Sequence, residues 1–204
     1  MKHQSSRQLY AYWARLRGDR IAPQRSEIDP NEIRQILGNT FILEAAAPDS
    51  YVYRLAGTRI CSAYCRELKG HDFLPLWSGS DRESIATLLK AVHVDGAIAV
   101  IGFSGYTERN QEISFELTLM PLCHDGREIN RILGSQSMAE TPFWIGIHPI
   151  VRHEIHSLRL IWPDETPHFL RKGEPIADIE APPVVNPHAR RRHGHLLVFD
   201  GGKS

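Results

Sequence analysis

The sequence predicts an α+β fold: a helix at the N-terminus, short helices, an antiparallel sheet and an extended C-terminal tail. Three observations carry this reading. The apolar spacing is helical in the stretches before residue 95 and becomes extended from residue 97. Ile113, Phe115, Leu117 and Leu119 alternate with Ser114, Glu116, Thr118 and Met120, the period-2 pattern of a strand with one buried face. Beyond residue 162, Pro163, Pro167, Pro175, Pro182, Pro183 and Pro187 remove backbone donors and rule out long helices or central strands.

Residues 5–17 read as a helix. Leu9, Tyr12, Trp13 and Leu16 recur at helical spacing, and Gly18 supplies the stop. Residues 19–30 form a connector. Asp29 then caps a short helix with Pro30 in its first position, ended by Gly38. Residues 40–43 and 51–55 read as two strands joined by the turn Pro48-Asp49-Ser50, a hairpin. Thr58 is the predicted N-cap of a helix over 59–68, closed by Lys69-Gly70. Residues 71–77 form an apolar turn broken by Pro75. A second helix begins at Ser80 or Asp81, turns Ile85, Leu88, Leu89 and Val92 inward, and closes at Asp95-Gly96.

Residues 97–106, 113–122 and 128–138 read as three strands. The turns Glu108-Arg109-Asn110 and His124-Asp125-Gly126 join them into a meander. Residues 150–162 supply a further strand or edge segment. Residues 163–204 read as extended or disordered, with Leu196-Leu197-Val198-Phe199 as a short quartet suited to pairing with a sheet edge.

The bulk properties exclude several classes. The chain has 204 residues, 42% of them hydrophobic and 24% charged, which fits one folded domain with extensions. Lys+Arg 24 balance Asp+Glu 24, so the basic excess of a nucleic-acid binder is missing overall. Apolar runs stay a few residues long, as in 41–43 and 97–101, far short of a membrane span. The opening Met1-Lys2-His3-Gln4-Ser5-Ser6-Arg7 is not a secretory leader. Three cysteines argue against a disulfide framework and for a reducing, cytoplasmic setting.

Several motifs carry a resemblance to a known family. Leu9-Tyr10-Ala11-Tyr12-Trp13 with Leu16-Arg17-Gly18, and Ile28-Asp29-Pro30 with Ile33 and Leu37, open the chain. Tyr53-Arg54-Leu55-Ala56-Gly57-Thr58, Leu68-Lys69-Gly70 and Leu119-Met120-Pro121-Leu122 follow in order. Together they resemble short bacterial proteins built on a single PAS domain, over about residues 7–145. The resemblance implies a five-stranded antiparallel sheet with helices on one face, and a sensory or interaction module without catalytic activity. It also implies dimerisation through the N-terminal helix, a small cavity between sheet and helices, and output through a partner signalling protein. The expected division is 1–27 flanking helix and connector, 28–145 PAS domain, and 146–204 C-terminal extension, partly extended or disordered.

No convergent catalytic or metal set stands out. Gly102-Phe103-Ser104-Gly105-Tyr106 lacks the last glycine and the helix of a nucleophile elbow. His153-Glu154-Ile155-His156 spaces its histidines by three. On the extended segment expected there, they point to opposite faces, so a zinc site is not predicted. Cys61 and Cys65 share a face on the expected helix and read as small packing residues. His93 ends a helix in a region where haem-binding PAS proteins place a ligand. No haem motif surrounds it, and the helix C-terminus alone suits a histidine, so haem through His93 is disfavoured. The cysteine motif of flavin adducts is missing as well.

The expected cavity wall is Ile85, Leu89, Val100, Phe115 and Leu117, suited to a small apolar or aromatic ligand. The expected dimer surface is Leu9, Tyr12, Trp13 and Leu16, packed across a two-fold axis as a homodimer. Two competing readings stay open: a small enzyme on an α+β scaffold, and a nucleic-acid-associated regulator using Arg190-Arg191-Arg192.

Overall fold

Helix α1 spans Gln4–Arg17. It begins where His3, in extended backbone, accepts the Ser5 amide through Nδ1 at 3.2 Å, and it ends at Gly18 with φ 56°. The computed structural model describes residues 1–47, 49–126, 128–162, 192–193 and 196–197. Two units divide the chain, Met1–Phe169 and Leu170–Ser204.

In the first unit the hairpin and the meander form as the alternation predicts. Strands β1 (Thr40–Ala47) and β2 (Ser50–Ala56) pair antiparallel. Strands β3 (Ile98–Thr107), β4 (Glu112–Cys123) and β5 (Ile129–Met138) follow, and β6 is Ile150–Ile161. The six strands lie in the order β2-β1-β5-β4-β3-β6, with every neighbouring pair antiparallel. The sheet therefore has one strand more than the five expected. β6 continues it past residue 145 by pairing along β3, with a register shift at Gly102/Phe103.

Helix α2 (Thr58–Ala63), a 3₁₀ turn at Leu74–Leu76 and helix α3 (Gly79–Asp95) cover one face of the sheet. Helix α1 covers the other. Alternation along the strands sorts the residues between these two cores. Ala99, Ile101, Leu117 and Leu119 belong to the α2/α3 side, and Ile98, Val100, Met120 and Leu122 to the α1 side. Gly96 closes α3 in the left-handed region at φ 69°, as Asp95-Gly96 predicts. Gly134 serves a different need. A Cβ there would lie 2.1 Å from Phe41 Cζ, so the ring can lie on β5 only because position 134 is bare.

Three local expectations change. Residues 30–36 form turns, not an α-helix, and a 3₁₀ segment follows at Leu37–Asn39. The bonds here run i to i+3, as in Ile36 N to Ile33 O at 2.9 Å and Asn39 N to Ile36 O at 2.9 Å. That period puts Ile33 and Ile36 on one side, and both are buried against the α1 core. The N-cap of α2 is Gly57 and not Thr58. The helix also stops at Ala63, with Cys65 in left-handed backbone at φ 50°. Cys65 is consequently exposed and does not share a buried helix face with half-buried Cys61.

Among the described residues, no helix is long and apolar enough to cross a membrane. In the second unit, Leu196–Leu197 pairs antiparallel with Arg192–His193. The remaining expectations for 163–204, including the Arg190-Arg191-Arg192 cluster as a contact, lie outside the described residues.

Candidate functional site

The α2/α3 side of the sheet is an aromatic core with a polar chain through it. Phe103 stacks on Phe115 with centroids 4.9 Å apart, and Trp77 meets Phe103 edge-on at 4.9 Å. Phe73 lies 6.1 Å from Trp77, 5.7 Å from Tyr53 and 6.1 Å from Phe41. Pro75 in the 3₁₀ turn holds Trp77 at the start of α3's approach, and the turn returns the Trp77 amide to Leu74 O at 3.0 Å.

The polar chain joins four elements. His153 of β6 is buried, and its Nδ1 faces the carbonyl oxygen of Leu76. A carbonyl only accepts, so Nδ1 carries the proton and Nε2 is the acceptor. Tyr64, just past the end of α2, then donates its hydroxyl to His153 Nε2 at 3.0 Å. The same oxygen accepts Gln136 Nε2 from β5 at 3.2 Å. Gln136 also accepts Asn39 Nδ2 through its backbone carbonyl at 3.0 Å. Next to this chain, Asp81 in the first turn of α3 accepts the Ile155 amide of β6 at 2.9 Å.

Burial sets the protonation. Desolvation lowers the His153 pKa to about 4 against the lesser opposing effects of the Leu76 bond and Asp81, so the ring is neutral near pH 7. Burial pushes the Tyr64 phenol well above its ordinary value, although the Gln136 bond works the other way. Tyr53 is likewise pushed well up, first by desolvation.

Two further groups in this core are unsatisfied. Tyr53 Oη and Trp77 Nε1 are buried without a hydrogen-bond partner among the described residues. Leaving such a group unpaired costs about 1–3 kcal/mol. Thr118 Oγ1 and Ser137 Oγ, on the α1 side of the sheet, are unpaired among the described residues as well.

The sequence-predicted wall is partly assembled. Ile85, Leu89, Phe115 and Leu117 meet in the α2/α3-side core. Val100 does not: it points to the opposite face, with Trp13 and Met120. The register pairs Val100 with Thr118 and places Leu117 opposite Ile101, so Val100 and Leu117 necessarily face apart. The predicted dimer stripe is also covered. Leu9, Tyr12 and Trp13 are buried in the chain's own fold, and Leu16 packs beside them. Trp13 Nε1 donates to Pro121 O at 2.7 Å, which ties α1 to β4. His93 sits half-buried, edge-on to Tyr51 at 6.2 Å. His153 is buried and His156 exposed, as their spacing in a strand requires. Among the described residues no cluster of His, Cys, Asp and Glu suits a metal ion.

Sequence reasoning passed over Tyr53, Tyr64, Trp77, Gln136 and His153 as a set. One signal was available: Ile132, Gly134, Gln136 and Met138 share a strand face. A glutamine at an inward position needs buried partners.

A family model described as PAS domain matches residues 1–137. Among curated protein sequences, none matches. Solved structures similar to this chain include one from work on a flavin analogue in the light-oxygen-voltage domain mechanism, at 14% identity. It covers 54% of this chain and 83% of that one, with a TM-score of 0.43. The light-oxygen-voltage protein of Rhodobacter sphaeroides is 15% identical, covers 57% and 71%, and gives 0.41. An RNA-binding light-oxygen-voltage receptor is 13% identical, covers 57% and 35%, and gives 0.42.

Proposed function

We propose a sensory role for this chain from one premise: it belongs to the PAS domain family. In this reading the α2/α3-side core senses a small ligand or a change of state, the protein carries out no reaction of its own, and the response passes to a partner protein. The observation that carries it is the chain Gln136–Tyr64–His153–Leu76. It links β5, the end of α2, β6 and the 3₁₀ turn through directional bonds inside an apolar core. A shift of α2 or of the turn changes what His153 can bond, and His153 is part of β6. The Asp81 bond to Ile155 adds a second tie between the helical layer and the same strand. The sensing core is therefore coupled to the strand that follows the family match.

Dimerisation belongs to this reading through a surface other than the Leu9, Tyr12 and Trp13 stripe, because those side chains are occupied by the chain's own sheet. Native mass spectrometry of the full chain purified from its own host tests the proposal, since it reads retained compound, partner and subunit number together. A retained compound or a stoichiometric partner is the expected result. A bare chain with neither, under conditions that keep it folded, would overturn the sensory reading.

A further inference from the structure

We infer that Cys65 and Cys61 form a redox switch on the relay: hydrogen peroxide oxidises the Cys65 thiol, Cys61 closes a disulfide with it, and the tightened loop shifts the Tyr64 hydroxyl that bonds His153. This rests on the sensory reading and names oxidation by a peroxide as the change of state that is read.

Tyr64 is the hub of the relay, and the two cysteines bracket it. Helix α2 ends in a tight loop. The Cys65 amide donates to Ser62 O at 3.1 Å, and the amides of Tyr64 and Arg66 both donate to Cys61 O at 3.2 Å. This pattern folds the chain back toward Cys61, with residue 65 in left-handed backbone at φ 50°. Glycine is the usual residue at such a helix end. This chain has an exposed thiol there instead. Tyr64, one position earlier, is buried, with its hydroxyl bonded to His153 and Gln136. A solvent-facing sulfur and the buried relay are therefore neighbours in the chain.

The two sulfurs have different surroundings and different roles. Cys65 meets solvent and is the one an oxidant reaches. Cys61 is half-buried. Burial first, with the nearby Glu67 carboxylate adding to it, holds its thiol above the ordinary value, so Cys61 keeps its proton and is not the first nucleophile. Its S–H donates to Glu67 Oε1, with Sγ 3.5 Å from that oxygen. In the first step the Cys65 thiolate attacks peroxide: an S–O bond forms, the O–O bond breaks, and hydroxide leaves. In the second, Cys61 attacks the sulfenic sulfur of Cys65. The S–S bond forms, the S–O bond breaks, and the Cys61 proton, held in transit by Glu67, leaves with that oxygen as water. The thiols are oxidised to a disulfide and peroxide ends as water. Side chains four positions apart around a helical turn have Cβ atoms about 5–6 Å apart, whereas a disulfide holds them at about 3.5–4.5 Å. Closure therefore tightens the loop, and Tyr64 lies inside it. The Tyr64 bond to His153 is directional, so it does not survive such a shift unchanged.

Treatment of the reduced full chain with hydrogen peroxide, followed by alkylation of the unfolded protein, trypsin digestion and mass spectrometry, tests this. The tryptic peptide 60–66 holds both cysteines. It should lose two hydrogens and both alkylation sites, reversibly with dithiothreitol, while Cys123 stays alkylatable. Cys61→Ser should stop at a sulfenic acid on Cys65 that dimedone traps, and Cys65→Ser should leave Cys61 intact at the same peroxide dose. Glu67→Gln should slow closure severalfold and leave the first oxidation unchanged. Near-ultraviolet circular dichroism reads the aromatic core. It should change on oxidation in wild type and hold in Cys65→Ser, and that exposed variant decides alone if Cys61→Ser does not fold. An intact pair of thiols after peroxide, a disulfide between two chains, prior consumption of Cys123, closure as fast in Glu67→Gln as in wild type, or an aromatic spectrum unmoved by the closed disulfide would overturn the inference. None of these outcomes touches the sensory reading, which stands or falls on the compound or partner retained from the host.

Discussion

The two faces of the sheet bury similar apolar side chains and connect their polar groups differently. On the α1 side, Trp13 finds Pro121 O, Tyr12 Oη accepts the Asp29 amide at 2.7 Å, and Glu116 accepts the Lys2 and His3 amides at 2.6 and 3.0 Å. The large polar side chains there are committed to tying one helix down. On the α2/α3 side a relay of bonds crosses four elements, and Tyr53 Oη and Trp77 Nε1 beside it have no partner among the described residues. The first arrangement suits a cover that stays in place. The second makes the bonding of one strand depend on the position of the helical layer. Unpaired buried groups occur on both faces, Thr118 Oγ1 and Ser137 Oγ on the α1 side, so the difference lies in the relay: one connected set of bonds joins four elements, whereas α1 is held by separate ones.

The largest effect should come from breaking the structural face. Trp13→Ala removes a side chain 1% exposed together with its bond to Pro121, and about 3–5 kcal/mol of stability should be lost. Urea unfolding of wild type and variant measures it. A loss below about 1 kcal/mol would mean that α1 is a loosely held flank and would dissolve the contrast between the faces.

Next in size is the pH response of the α2/α3 face. The unfolded chain protonates His153 near 6.5, whereas the folded chain resists down to about 4. Stability from this group is complete above pH 6.5, falls as the pH drops through that window, and changes no further below about 4. The span is roughly 3 kcal/mol at most, at about 1.4 kcal/mol per pH unit of displacement. Denaturant midpoints at pH 7 and pH 4.5 should converge more in His153→Gln than in wild type. An identical pH slope in the two proteins would show that His153 is not the buried neutral group described above.

A smaller effect with a sharper sign comes from one substitution made twice. Tyr64→Phe breaks the relay and should destabilise by about 1–3 kcal/mol, because Gln136 and His153 lose their partner. Tyr53→Phe removes an unpaired hydroxyl from the same core and should be neutral or stabilising by about 1 kcal/mol. Thermal melts of both variants side by side read the contrast, and equal losses would contradict it. The smallest effect belongs to the sheet's polar margin. Glu44 pairs with Arg131 at 2.8 Å and with the more exposed Arg54. Arg54→Ala should cost less than about 1 kcal/mol, and the same melts would show it.

These results also mark where local reading of the chain succeeds. The strands at 113–122 and 128–138, the helix that ends at Asp95-Gly96 and the helix that ends at Gly18 were legible, since period and terminator are properties of adjacent residues. The short turns of 30–39 were not. There Asp29 and Pro30 are sound helix starters, but the demand that Ile33 and Ile36 both reach the α1 core tightened the backbone to i, i+3 bonding. Trp13 and Val100 show the same limit at larger scale. Each was recognisable as a residue that must be buried, while the identity of the covering surface was not.

What the sequence by itself determined is the family, the alternating faces of the strands and the large aromatic stripe on the first helix, because each is encoded in residues a few positions apart. What only the tertiary structure decided is which face meets which helix, and that residues 53, 64, 77, 136 and 153 converge. Tyr64 and His153 are 89 positions apart and Tyr64 and Gln136 are 72 apart, and they bond because strand pairing and helix packing bring β5, β6 and the end of α2 together. No local period records such a meeting. A hydrogen bond depends on distance in space, and that distance exists only once the sheet has been assembled.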